Sequence, residues 1–138
     1  TKKISAQNGG ILLIDYGYLN SHYKNTLQAI KRNKKINISN IYNYLGDVDI
    51  TSLVNFSLLK EFFLKNNLKV SKIVSQKFFL ERMGIIERFK ILEKSMTLKQ
   101  KNYITNTLNR LLNNKHMGEL FKVIFAYKSK SDNFFGFN

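Results

Sequence analysis

A chain of 138 residues with 43% hydrophobic and 13% aromatic content can fill one domain with a packed core, which excludes a disordered or fibrous class. It has no cysteine, so disulfide staples, thiolate zinc sites and a cysteine nucleophile are excluded within it. Its formal charge of +14 raises nucleic-acid binding, but the lysines are spread from Lys2 to Lys130 and only Lys31 to Lys35 is dense, so a solvated basic surface is the expected reading.

No apolar run approaches the roughly 18 residues that span a bilayer, and the Lys2-Lys3 start lacks the apolar core of a secretory signal. Neither membrane insertion nor secretion is expected. The chain begins with Thr1 rather than Met and reads as a piece of a longer protein.

In chain order, the first strong signal is Gly9 to Tyr18 (GGILLIDYGY). Four consecutive apolar residues between glycines predict a central strand at Ile11 to Ile14, buried on both faces as in parallel sheets. Ligands of open α/β sheets sit beyond the carboxyl ends of strands, which makes Asp15, Tyr16 and Gly17 site candidates. Gly17 is expected to allow a close approach or a positive φ. The segment from Tyr18 to Tyr44 shows no sustained period and is expected to be a long connection with at most short helical turns, a lid over the strand's carboxyl edge extending to about residue 46. It contains His22 and the basic cluster.

Asn55 is the expected N-cap of a helix that buries Leu58, Leu59, Phe62 and Phe63. Leu68 to Ser75 alternates loosely and predicts a short strand, parallel to the first. Ser75 caps a helix with Phe78, Phe79, Leu80 and Met83, which Gly84 ends; a second helix carries Ile85, Ile86, Phe89 and Leu92. Thr97 and Gln100 have capping-box spacing and open a third helix with Ile104, Leu108, Leu111 and Leu112 on its buried stripe. These helices form an insertion at about residues 76–116, closed by Met117 and Gly118. Glu119 to Lys128 is nearly apolar on both faces and predicts a second central strand. The tail aromatics Phe134, Phe135 and Phe137 either pack on the sheet or stay loose.

Chemistry-bearing motifs are few. No glycine-rich strand-to-helix loop, GK[ST] phosphate loop or serine elbow occurs, and two histidines with few acids do not predict a metal site. Asp47 and Asp49 could bind a cation or act as acid and base, although two acids before a helix start are ordinarily capping and dipole partners.

Taken together, GGILLIDYGY, DVDITSLVNF, SQKFFLERMGI and NKHMGELFKVI, in this order, resemble the carboxyl-terminal half of the MidA-like family, class I S-adenosylmethionine (SAM) dependent methyltransferases linked to assembly of respiratory complex I. The resemblance runs from about Gly9 to Ala126. It implies a Rossmann-like α/β fold in a single partial domain over residues 1–138, with Ile11 to Ile14 as the fifth strand, Leu68 to Val74 as the sixth and Leu120 to Tyr127 as an antiparallel seventh between them. It implies protein arginine symmetric dimethylation, with a complex I subunit as the protein substrate, in bacterial cytoplasm or the mitochondrial matrix. The family's SAM loop belongs to the amino-terminal half, so SAM is the cofactor of the intact protein and none is expected for this chain alone. Asp15 becomes the candidate catalytic residue, placed to pair with a guanidinium or anchor the lid. Tyr16, Gly17, Tyr18, Asp49, Thr51, Asn55, Gly118 and Glu119 become candidates for the substrate side or lid. Asn55 stands where the family commonly has an acid, and Leu53 where a polar residue is usual. The missing amino-terminal half is the implied partner, and a half-sheet with an open edge predicts self-association. The alternative reading is a non-catalytic basic module that docks a partner protein or nucleic acid.

Overall fold

The computed structural model describes residues 2–20 and 25–138; the expected position of His22 in the connection lies outside the described residues. Helix α1 (Lys2–Gln7) leads into strand β1 (Gly10–Tyr18). A small hairpin of β2 (Gln28–Lys31) and β3 (Lys34–Ile36) follows, then a 3₁₀ segment over Ile38–Tyr44 and β4 (Asp49–Thr51). Strand β5 (Val54–Asn55) runs directly into α2 (Phe56–Lys65), and β6 (Lys69–Val70) and β7 (Val74–Ser75) come next. Helices α3 (Gln76–Arg82), α4 (Ile85–Leu92), α5 (Leu98–Leu112) and α6 (Met117–Leu120) precede the last strand, β8 (Phe121–Tyr127).

The main sheet has the order β5-β1-β8-β6, with β7 also on β8. Strand β8 lies between the other two, antiparallel to β1 from Gly10↔Tyr127 to Tyr16↔Phe121 and antiparallel to β6 and β7. β1 and β6–β7 are therefore parallel to each other, and the apolar pattern of β8 on both faces is explained by its central place. Val123, Ile124, Ala126 and Tyr127 are all buried.

The strand expected at Leu68 to Ser75 is interrupted. Val70 pairs with Ala126 and Val74 with Val123, so the β6–β7 side carries one extra residue, a β-bulge. Ser71 bridges it: its N–H donates to the Phe125 carbonyl at 2.9 Å, and its Oγ accepts from the Phe125 N–H at 3.1 Å.

Two cores flank the sheet. On one face Phe56, Phe63 and Leu68 pack with Ile124 and Ala126, joined by Ile11, Leu13 and Leu59. On the other, Phe79 and Val74 pack against Val123 with Phe78, Leu80 and Phe137. The buried stripe of α2 is thus Phe56, Leu59 and Phe63; Leu58 and Phe62, expected inside, are 62% and 52% exposed. Strand β1 departs from the two-sided burial its sequence suggests, because Leu12 and Ile14 are each 45% exposed while Ile11 and Leu13 meet the α2 core. Its apolar run encodes burial on both faces, but this chain covers only one.

The predicted caps form as read. Asn55 Oδ1 accepts from Leu58 N at 3.1 Å, Ser75 Oγ from Phe78 N at 3.3 Å, and Thr97 with Gln100 makes a reciprocal capping box. Gly84 adopts φ 81° between α3 and α4, as the break required. The connection after Tyr18 is corrected: residues 28–51 build a three-stranded antiparallel sheet of order β3-β2-β4. Its tip places Arg32 and Asn33 at φ 49° and 63°, a two-residue turn that the basic composition of Lys31 to Lys35 concealed. Glu119 is also corrected, since it lies in α6 and the strand begins only at Phe121. Among the described residues no helix is long and apolar enough to cross a membrane.

The tail folds back on β8. Phe134 meets Tyr127 and Phe125 edge-on at 4.5 and 4.9 Å, and Phe137 lies 5.3 Å from Phe79, whereas Phe135 is 88% exposed. Asp132 anchors this return, accepting from Lys69 Nζ at 2.7 Å and from the Tyr127 hydroxyl at 3.3 Å. The Lys69 hydrogen bond holds the Asp132 carboxyl below its ordinary 3.8, and the same bond holds Lys69 above 10.5. Burial, followed by the Asp132 charge, raises the Tyr127 phenol above 10.0. A depressed acid stabilises above its unfolded value and a raised base or phenol stabilises below it. Docking of the tail is therefore expected to hold between about pH 4 and pH 10 and to loosen on both sides. Phe134 ring resonances followed by NMR across pH report this directly. Asp132→Asn, which mimics the protonated acid, is expected to abolish the acid-side change because the tail is already loosened at neutral pH.

Candidate functional site

The carboxyl half of β1 is a continuation of the strand rather than a turn after it, so Asp15, Tyr16, Gly17 and Tyr18 all lie within β1. Period two puts Asp15 and Gly17 on the α2 face with Leu13, and Tyr16 on the other. Tyr16 stacks edge-on against Phe121 at 5.6 Å. Asp15, half-buried, accepts from the Tyr16 N–H at 2.8 Å through one carboxylate oxygen. Its cross-strand neighbour is Lys122, but that ammonium turns to Glu119, to its carbonyl and to its carboxylate at 3.5 Å. No described basic side chain forms an ion pair with Asp15.

Gly17 is required by contact, not by a positive φ. A Cβ there would stand 2.2 Å from the Val54 carbonyl oxygen and 2.8 Å from the Phe56 ring. The reason is the parallel pairing Gly17↔Val54 and Tyr18↔Asn55, which seats the start of α2 against the end of β1. The Ser57 hydroxyl donates to the Leu19 carbonyl, and Thr26 Oγ1 accepts from Leu53 N at 3.2 Å. The small sheet is thus an excursion that leaves and rejoins β1 at one place.

The structure brings together part of the expected constellation. Asp15 to Tyr18, Asn55 by its pairing with Tyr18, and Gly118 and Glu119 on the helix that enters β8 opposite Tyr16 gather at the carboxyl end of β1. Asp49 and Thr51 instead lie on β4, opposite Ile30 and Gln28. Asp49 is exposed, and Asp47 is held by Lys31 at 3.0 Å, so neither acid pairs with the other as an acid and base. Gly118 is buried because a Cβ would meet the Leu112 carbonyl oxygen at 2.4 Å, which locks α6 to the end of α5. Among the described residues no group of three His, Cys, Asp or Glu could hold a metal ion.

The groove between α5 and α6, with Arg110, Lys115 and His116, escaped the sequence reading, which followed only the apolar stripe of α5. A signal existed: Asn106, Asn109, Arg110 and Asn113 fall at i, i+3, i+4 and i+7, a polar stripe as regular as the apolar one.

A strand with an Asp-Tyr-Gly carboxyl end, an antiparallel strand beside it and a parallel one beyond, with helices on both faces, is the carboxyl-terminal part of a methyltransferase-like α/β sheet. Residues 2–74 match the family described as "Putative S-adenosyl-L-methionine-dependent methyltransferase", and the chain belongs to that family. Two crystal structures from Burkholderia thailandensis, members of one superfamily, are similar. The first, an uncharacterized protein, has 27% identity and a TM-score of 0.82 over 94% of this chain and 35% of that one. The second, bound to S-adenosyl-homocysteine, has 26% identity and a TM-score of 0.74 over 92% of this chain and 33% of that one. The chain spans about a third of the length of these structures. No curated protein matches it.

The residues present do not by themselves fit SAM. β1 leads into the small sheet rather than through a glycine-rich turn into a helix, and β7 enters α3 through Ser75 and Gln76. Among the described residues neither connection forms a backbone cradle for the cofactor.

The tight contact at Gly17 gives a direct test of how the site is held. Gly17→Ala is expected to cost about 1–3 kcal/mol, since the nearest obstacle is backbone and cannot swing away. Gly9→Ala, whose Cβ would find nothing closer than 3.9 Å, is expected to stay within about 0.5 kcal/mol of the parent. Urea denaturation of both variants makes the comparison.

Proposed function

We propose that the intact protein is a SAM-dependent protein arginine methyltransferase of the MidA-like kind, acting by symmetric dimethylation on a complex I subunit, and that this chain supplies its substrate-side wall. The observation that carries the proposal is the half-buried Asp15 carboxylate at the carboxyl end of β1, unneutralised by Lys122, in a chain whose family is one of SAM-dependent methyltransferases. Its role is to accept from a substrate guanidinium and fix the cation's orientation for transfer. Tyr16, Gly17 and Tyr18 shape the strand end, while Asn55, Gly118 and Glu119 border it. Asp49 and Thr51, on the small sheet, contribute to a lid over it. The SAM-binding loop belongs to the amino-terminal half. That half also supplies a strand for the edge of β1, which over Gly10–Tyr16 is paired only with β8 among the described strands, and a cover for Leu12 and Ile14. Until so covered, the chain is expected to self-associate.

Asp15→Asn keeps an oxygen to accept from the Tyr16 N–H and removes only the charge. In the full-length enzyme it is expected to leave the melting temperature nearly unchanged. Methyl transfer to protein substrate is expected to fall about 10- to 100-fold, the worth of a hydrogen bond to a charged group. Undiminished turnover in a methylation assay removes Asp15 from the site. The isolated 138-residue chain is expected to show no SAM binding by calorimetry; micromolar binding contradicts the division of labour proposed for the two halves.

The other reading, a non-catalytic module that docks nucleic acid through its basic surface, predicts affinity for oligonucleotides that collapses between low and physiological salt. The family match favours the methyltransferase.

A further inference from the structure

The groove between α5 and α6 has a cavity volume of about 750 Å³ and no acidic side chain in its lining. Its lining combines the α5 stripe of Asn106, Asn109, Arg110 and Asn113 with Lys115 and His116 and the apolar Met117 and Leu120, the last 47% exposed. Among the described residues neither the Arg110 guanidinium nor the Lys115 ammonium has an ion-pair or hydrogen-bond partner. Lys60 and Lys94 likewise reach no acid among the described residues, so what sets Arg110 and Lys115 apart is that they share one lining without an acid.

From this combination we infer that the groove binds an acidic, extended peptide segment of a partner protein. The stripe from Asn106 to Asn113 is roughly 10 Å long at the helical rise, which matches about three residues of extended chain. Asparagine amides carry both donors and acceptors and suit a peptide backbone, which needs both. Two cations in one lining with the apolar Met117 and Leu120 suit carboxylate side chains with methylene stems, and Arg110 can grip a carboxylate with two parallel hydrogen bonds. The groove adjoins the proposed active-site edge, since α6 enters β8 at Phe121 opposite Tyr16. On the reading of that edge as the substrate side, the acidic segment is one that flanks the residue to be methylated. The cations then draw in a substrate's carboxylates while Asp15 receives its cation, and the two sites together fix the direction of the bound chain.

The test is fluorescence anisotropy of the chain with a labelled hexapeptide of alternating Gly and Glu. Arg110→Ala combined with Lys115→Ala is expected to weaken binding at least tenfold. Lys60→Ala combined with Lys94→Ala removes the same charge from exposed sites elsewhere and is expected to change it less than twofold. Arg110→Glu is expected to transfer preference to a Gly-Lys hexapeptide, a gain that misfolding cannot produce. Equal losses in the two double variants would reduce the effect to net charge and overturn the inference. So would a uridylate oligomer that binds more tightly than the peptide through the same residues. The titration contains neither SAM nor a methylatable residue, so its failure leaves the methyltransferase reading standing. An inactive full-length enzyme with intact peptide binding would sink that reading alone.

Discussion

The antiparallel ladder between β1 and β8 joins the two ends of the chain, and the rest of the structure depends on it. Seven consecutive pairs, Gly10↔Tyr127 to Tyr16↔Phe121, set which side chains share a face. Ile11 and Leu13 are thereby aligned with Ala126 and Ile124 to receive α2, and Leu12 and Ile14 with Phe125 and Val123 on the side of α3 and the tail. A slip of one residue would invert every one of these assignments. Close approach is built into the ladder at its start, where a Cβ on Gly10 would lie 2.5 Å from the Phe125 ring. Because β8 is the last strand, the sheet cannot close until nearly the whole chain is in place.

The bulge between β6 and β7 serves the same ladder from its other side. With one residue more than β8 offers, the strand must step out at Ser71 to Ile73 and return with Val74 facing the α3 core. Ser71 occupies the gap with both its amide and its hydroxyl, so the Phe125 amide and carbonyl that the step would orphan remain satisfied.

The carboxyl end of β1 is held by three independent devices: the parallel pairing at Gly17 and Tyr18, the Ser57 hydroxyl on the Leu19 carbonyl, and α6 opposite Tyr16. Asp15 therefore sits within a paired strand rather than on a loop. The surface beyond is of a different kind. Leu12, Ile14 and Leu19 remain partly exposed on β1 or just past it, in a chain a third as long as the structures it resembles.

Local signals were legible wherever a single residue type decides the geometry. Asn55, Ser75, the Thr97–Gln100 box and Gly84 were readable because capping and positive φ depend on neighbours within four residues. The small sheet over residues 28–51 was not, since strands of three or four residues give no period to count and the polar, lysine-rich turn between them looks like solvated loop. The helix faces were half legible: Phe63 and Leu59 were placed inside correctly, while Leu58 and Phe62 were not, because an apolar residue in a helix does not say which of two adjacent stripes will find a partner.

By itself the sequence determined the central strands, the helix starts, the class of sheet and the acid at the end of β1, all of which follow from apolar runs, caps and motif order within short windows. Tertiary structure alone decided that the strand expected at Leu68 to Ser75 is interrupted by a bulge, that Gly17 is there for the Val54 carbonyl and the Phe56 ring, that Lys122 turns to Glu119 and leaves Asp15 uncompensated, and that Arg110 and Lys115 share a groove without an acid. The physical reason is the same in each case: pairing order, close approach and charge compensation depend on which distant segments occupy the same few ångströms, and no local pattern encodes that.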